Sequence, residues 1–241
     1  MRWRGKSSRL VAACGSARRW VGPTMLLAAG FSAFVIDTPA SAAASCPIDG
    51  RAVHVILDVQ TGTVKWRTSH GRSDLKRLAR RVSPGIRQGH PLGLTVTEFH
   101  RGMKTQVSIA PLGKNRFCAV PVKVEVTIGY PEFIVYIDRR YRTGTCQYRQ
   151  IKIHEQRHVD IYRRNLHHFA PLIRGRLKDA AARLKPAYVS QPAAAANLIQ
   201  QRLKTKIDAL VDRLQQATDA DNGRIDTASS YGRIQKRCRS W

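Results

Sequence analysis

Acidic side chains are scarce in this chain of 241 residues, where 16 Asp and Glu stand against 42 Lys and Arg for a formal net charge of +26. No glutamate follows Glu155. No two of the cysteines beyond residue 42, Cys46, Cys118, Cys146 and Cys238, have the two-to-four-residue spacing of a cysteine-rich zinc site, which argues against that class. The sequence shows no internal repeat and no groove-reading motif, so a nucleic-acid-binding reading would rest on charge alone. The longest apolar run, Val21 to Ile36, is about 16 residues where a membrane span needs about 20.

That run follows Arg2, Arg4, Lys6, Arg9, Arg18 and Arg19 and precedes Ala40-Ser41-Ala42. A basic start, a short apolar stretch and a small-residue site together predict a signal peptide over residues 1–42 and a single domain over 43–241. The alternative is an uncleaved N-terminal anchor. With cleavage no stable membrane span is expected, and the product is secreted or periplasmic. The remaining residues hold 36 basic and 15 acidic side chains, a net of +21. In an exported protein such a surface would meet anionic envelope polymers or acidic substrates, and no nucleic acid. The charges are scattered, as on a generally solvated surface. Four cysteines in an oxidising compartment predict two disulfide bonds, with three connectivities open.

The element pattern predicts an α+β fold, with an N-terminal, mostly antiparallel sheet followed by helices, and the H-E-x-x-H sequence His154–His158 in the first of them marks a zincin-type active-site helix before a C-terminal helical part. Residues 52–68 read as a hairpin around Thr61-Gly62. A short helix should follow Gly71, with Ser73 as N-cap, Leu75, Leu78, Ala79 and Val82 on one face, and Pro84 ending it. Leu94 to Phe99 is expected to pair with Lys104 to Ile109 around Arg101-Gly102. Val122, Val124, Val126 and Ile128 alternate with polar residues, a strand with one wet face. Phe133 to Ile137 returns as a further strand. Helical spacing begins at Thr145, with Pro171 stopping that helix or opening the next. Ile173, Leu177, Ala180 and Leu184 suggest a second helix, and Ile199 to Ala217 a long third one.

In the first of these helices stands His154-Glu155-Gln156-Arg157-His158, an H-E-x-x-H sequence. Residues four apart on a helix share a face, so His154 and His158 can offer two imidazole nitrogens to one ion. Glu155 stands where a carboxylate can take a proton from water and pass it to a leaving amine. The buried-side neighbours Ile151 and Phe169 place the three residues toward the protein rather than on the arginine-rich face. A catalytic zinc centre needs a third protein ligand. The metzincin continuation requires His at position 164, where Arg164 stands, and a gluzincin requires a later Glu, which is absent. Asp, His or Tyr are left as candidates for the third ligand. His167 and His168 are expected to cap the C-terminal end of the helix. His54, His70, His90 and His100 are isolated in sequence, and Asp160 should point away from the ligand face.

Gly71-x-Ser73, Phe117-Cys118 before the alternating strand, and Cys146 and Tyr148 leading into His154-Glu155-x-x-His158 resemble the bacterial predicted secreted zinc-dependent proteases, a domain of unknown function with an H-E-x-x-H motif. The resemblance spans roughly residues 43–241. It extends to the tail, where the family's Y-D-x-x-T-x-H-G is similar to Ile225-Asp226-Thr227-Ala228-Ser229-Ser230-Tyr231-Gly232. Asp226 and Gly232 match, whereas Tyr231 replaces the family's His. If that His is a ligand, Tyr231 stands in its place. If it is a donor to the transition-state oxyanion, a phenol can do the same work and Asp226 becomes the better metal ligand. For Asp226 the alternative is a turn or N-cap residue after Asn222-Gly223, and for Tyr231 an aromatic packed on the core.

The resemblance implies a Zn²⁺-dependent metallopeptidase acting on a peptide or protein substrate, with metal ligands His154, His158 and Asp226 and catalytic residues Glu155 and Tyr231. The rival expectation is a non-catalytic cationic envelope protein on a zincin scaffold that binds anionic polymers.

Overall fold

The clearest period-two stretch of the sequence lies in the strand on which the sheet is built. The computed structural model describes residues 45–48, 52–82 and 91–241. The expected signal peptide, His90 and Pro84 lie outside the described residues, and Ala44–Trp241 forms one compact unit. The central strand is β5, Arg116–Gly129, which resumes after two residues as β6, Glu132–Ile137. Beside them, and parallel to them, run β1, His54–Gln60, and β2, Thr63–Arg67. Antiparallel on the other flank run β4, His100–Gly113, and β3, Gly93–Thr97. The orders β1-β5-β4 and β2-β6-β3 are therefore the same three chain paths, each interrupted at one level: Thr61–Gly62, Glu98–Phe99 and Tyr130–Pro131.

The chain closes up tightly at this break. Tyr130 N donates to Gln60 O at 2.8 Å. Gly62 has a φ of 57° and Gly129 a φ of 131°, conformations that other residues rarely adopt. A Cβ would approach Tyr130 O to 2.4 Å at Gly62 and Gln60 O to 2.2 Å at Gly129. The expected hairpin over 52–68 is thus absent, because Thr61-Gly62 interrupts one path instead of reversing it. Leu94 to Phe99 likewise does not pair with Lys104 to Ile109. The reversal into β5 lies at Gly113 and Asn115, whose φ values of 136° and 55° suit a turn. The sheet is mostly antiparallel, as expected, through the pairings β3 with β6, β4 with β5 and the later strand over Ala187–Val189 with β5, while β1 and β2 run parallel to β5 and β6. Parallel β1 and β2 are possible because a long connection through β3 and β4 separates them from β5 and β6.

Val124, Val126 and Ile128 are buried as the alternation predicts, but Val122 is 41% exposed. The register slips between Gln106 and Val107, leaving Val122 unpaired as a bulge that switches the alternation to the other face. Helix α1, Arg72–Val82, buries Leu75 and Ala79. Its start is fixed by Asp74, whose carboxylate accepts from Gly71 N, so Ser73 lies inside the first turn and is not the N-cap.

Helix α2, Cys146–Ala182, starts at Thr145, whose hydroxyl accepts from Tyr148 N. It passes through Pro171 without ending. The carbonyl that loses its partner belongs to His167, and both residues are exposed, so water can satisfy it. The buried stripe Leu166, Phe169, Ile173, Leu177 and Ala181 continues across the proline and holds the helix together. The expected second helix is therefore the end of the first, and His167 and His168 sit exposed in mid-helix instead of capping it. Strand β7, Ala187–Val189, adds to β5, and a short 3₁₀ turn, Pro192–Ala194, leads into α3, Ala195–Ile225. α3 buries Ile199, Leu203, Ile207, Val211 and Leu214 in the core shared by the sheet and α2. α4, Ala228–Gln235, follows a Thr227 cap.

The fold is α+β. The disulfides join Cys46 to Cys118 and Cys146 to Cys238, selecting one of the three connectivities. Among the described residues no helix is long and apolar enough to cross a membrane. The disulfides are compatible with an extracellular protein.

Candidate metal centre

The break in the sheet also sets where α2 lies. Arg163 donates from Nε to Thr61 O at 3.0 Å and from Nη2 to Gly62 O at 2.7 Å. Tyr162 packs edge-on against Tyr130, with ring centroids 4.9 Å apart, and against Phe133. One turn earlier on this anchored face, His154, Glu155 and His158 are all buried. β3 approaches the helix so closely that a Cβ on Gly93 would lie 2.6 Å from Glu155 Oε1. Thr95 donates to Glu155 Oε2 at 2.8 Å. Among the described residues β3 pairs only with β6, so its other edge is free of strand partners beside the glutamate.

The second contribution comes from the far end of α3. The two long helices run antiparallel, as Asn165 bonding Asp221 and Arg176 bonding Lys206 O show. This brings an i, i+4 pair on α3, Asn222 and Asp226, against the i, i+4 pair His154 and His158. Asp226 Oδ1 lies 3.1 Å from His154 Nε2 and 3.2 Å from His158 Nε2, and the two Nε2 atoms are 3.3 Å apart. Asp226 is the C-cap of α3, since the helix runs through Asn222-Gly223 where a turn had been expected. Tyr231, on α4, donates its hydroxyl to the same Asp226 oxygen at 2.9 Å, and its ring lies 5.1 Å from that of His154.

These residues fit a metal ion. His158 Nδ1 is 2.8 Å from Asn222 Oδ1. An amide oxygen only accepts, so Nδ1 carries a proton and Nε2 is the nitrogen turned toward Asp226. Lone pairs and a carboxylate this close repel unless a proton or a cation lies among them. Ligand atoms bonded at 2.0–2.1 Å to a tetrahedral ion stand about 3.3 Å from one another, close to the three separations observed. His154, His158 and Asp226 could therefore hold a metal ion, and among the described residues they are the group that could.

The electrostatics are those of tightly apposed buried groups. Burial pushes the Glu155 carboxyl above its ordinary pKa, against the opposing effects of His158, His154 and Thr95. Burial alone would depress His158, but its bond to Asp226, the charges of Glu155 and Asp226 and the Asn222 contact outweigh this and raise it to about 9. Burial acts upward on Asp226 too, yet bonds from His154, His158 and Tyr231 hold it well below the usual carboxylate range. Burial, then the negative charges of Asp226 and Glu155, push Tyr231 far up, so its hydroxyl keeps its proton.

The other sequence candidates lie elsewhere. His70 stacks edge-on with Tyr136, and Asp160 accepts from Gln156 on the exposed side of α2. Sequence reasoning missed Thr95, Gly93 and Asn222. Only Asn222 had a detectable signal, its four-residue spacing from Asp226, which its neighbour Gly223 disguised as a turn. No protein-family model, no curated protein and no solved structure matches this chain.

Proposed function

We propose that the protein is an exported zinc-dependent metallopeptidase. The carrying observation is the convergence of His154 Nε2, His158 Nε2 and Asp226 Oδ1 within 3.1 to 3.3 Å beside a buried glutamate. Two imidazoles and one carboxylate make a donor set that suits Zn²⁺ and leaves one position open. Bound there, the ion supplies Lewis acidity, polarising a carbonyl and making water more acidic.

Glu155 is the general base. It accepts the proton as the water oxygen adds to the carbonyl carbon, and returns it to the nitrogen as the C–N bond breaks. Thr95 fixes the carboxylate by donating to its Oε2. Tyr231, protonated and next to the ligands, is the donor for the oxyanion, the role open to a phenol where the resembled family has His. The free edge of β3 offers backbone groups for pairing with an extended peptide. The resemblance to the secreted zinc-dependent proteases supports peptide over other amide substrates, and the two disulfides support export.

A second reading, a non-catalytic binder of anionic polymers, is favoured by one observation. Residues 227–241, which include Tyr231, carry Arg233, Lys236, Arg237 and Arg239 and no acidic side chain. Elemental analysis of the purified protein separates the readings. We expect one equivalent of zinc that is lost in both His154→Ala and Asp226→Ala. A wild type that stays metal-free after zinc is added overturns the metallopeptidase and leaves the polymer binder.

A further inference from the structure

We propose that Asn222 is the positioning residue of this centre, fixing His158 through its side chain and Asp226 through its main chain. The inference rests on the reading of His154, His158 and Asp226 as a metal centre. The side-chain amide oxygen takes the Nδ1 proton of His158 at 2.8 Å. That contact selects the tautomer whose Nε2 is free to coordinate. The Asn222 carbonyl accepts the N–H of Asp226 at 3.2 Å, the bond that closes the C-terminal end of α3. One residue thus aims an imidazole from α2 and a carboxylate from α3 at the same point.

The alternative orientation shows why the contact matters. Rotating the amide would set its NH₂ against Nδ1, drive the ring proton to Nε2 and turn that atom from ligand to donor toward Asp226. In the orientation with Oδ1 toward His158 Nδ1, Asn222 Nδ2 is buried without a hydrogen-bond partner. His154 has no equivalent support, since its Nδ1 is buried without a hydrogen-bond partner. The ordering of the two imidazoles is therefore unequal, with His158 held and His154 carried by its place on the helix.

The test measures zinc dissociation constants by competition with a chromophoric chelator, for wild type, Asn222→Ala and Asn222→Asp, alongside thermal melts of the metal-free proteins. We expect Asn222→Ala to weaken zinc binding by about 10- to 100-fold. Asn222→Asp should restore it to within a few-fold, because a carboxylate oxygen accepts the same proton. Equal binding by wild type and Asn222→Ala overturns the proposal, as does a common loss in both variants that tracks a fall in melting temperature. ¹⁵N-edited NMR of zinc-loaded wild type needs no variant to fold. A His158 proton on Nδ1 is expected, and coordination through Nδ1 overturns the role. A wild type that binds no zinc refutes the metal centre itself, a result separate from any of these.

Discussion

The two halves of α2 follow one helical period and bury unlike material. From Leu166 to Ala181 the inward positions are Leu166, Phe169, Ala170, Ile173, Leu177 and Ala181, all apolar. From Tyr148 to Asn165 the same face buries His154, Glu155, His158 and Asn165 among apolar neighbours. Burial of the first set is favourable without partners, at roughly 25 cal/mol per Å² of apolar surface. Burial of the second is costly unless each polar atom is bonded or shares a charge. One half of the helix holds the fold together, then, and the other half uses that stability to keep titratable groups out of water.

Changes in the two halves should separate chemistry from stability. The largest effect belongs to Glu155→Gln. Peptide hydrolysis should fall by about 10²- to 10⁴-fold while zinc content stays at the wild-type level, because the ligands are untouched. Full activity in this variant would sink the proposed base. In the apolar half, Leu177→Ala should cost about 2 to 5 kcal/mol in urea unfolding and leave the zinc dissociation constant unchanged. If zinc binding moved with it, the halves would not be separable.

A pH effect should appear in the polar half alone. His158 is raised to about 9 in the folded metal-free chain, above its ordinary 6.5. Its contribution is fully present below pH 6.5 and is lost as pH rises through 9, up to about 3 kcal/mol. Denaturant titrations of the metal-free protein at pH 6 and pH 10 should show that loss. The zinc-loaded protein should not, since Nε2 is then no longer open to a proton. The smallest expected effect is at the junction of the halves, where Pro171→Ala restores the bond to His167 O. It should stabilise the chain by at most about 3 kcal/mol, and a melting temperature that falls would show the proline to be better accommodated than its helical position implies.

What could be read from the sequence was what depends on near neighbours. His154, Glu155 and His158 lie within one turn, so their spacing alone places them on one buried face. Asp226 lies 72 residues from His154, and their meeting depends on two long helices running antiparallel. Only likeness to a known tail motif suggested it. Thr95 and Gly93 reach Glu155 across the fold and left no local trace. The strands were legible because alternation marks their faces, but alternation does not name a partner. Gly62 signals a positive φ equally well for a turn and for a break in a strand, and the pairing turns on which it is. Pro171 misled because a breaker is judged by local cost, whereas a stripe of six buried apolar residues on both sides of it outweighs that cost.

The distance in sequence between His158 and Asp226 also fixes the order in which they are synthesised. A ribosome releases the H-E-x-x-H segment long before the aspartate that faces it, and Cys238, which ties the final residues to the start of α2, emerges later still. A growing chain therefore displays two histidines without their carboxylate until α3 is complete. His154, His158 and Asp226 cannot come together before the last turn of α3 has been made.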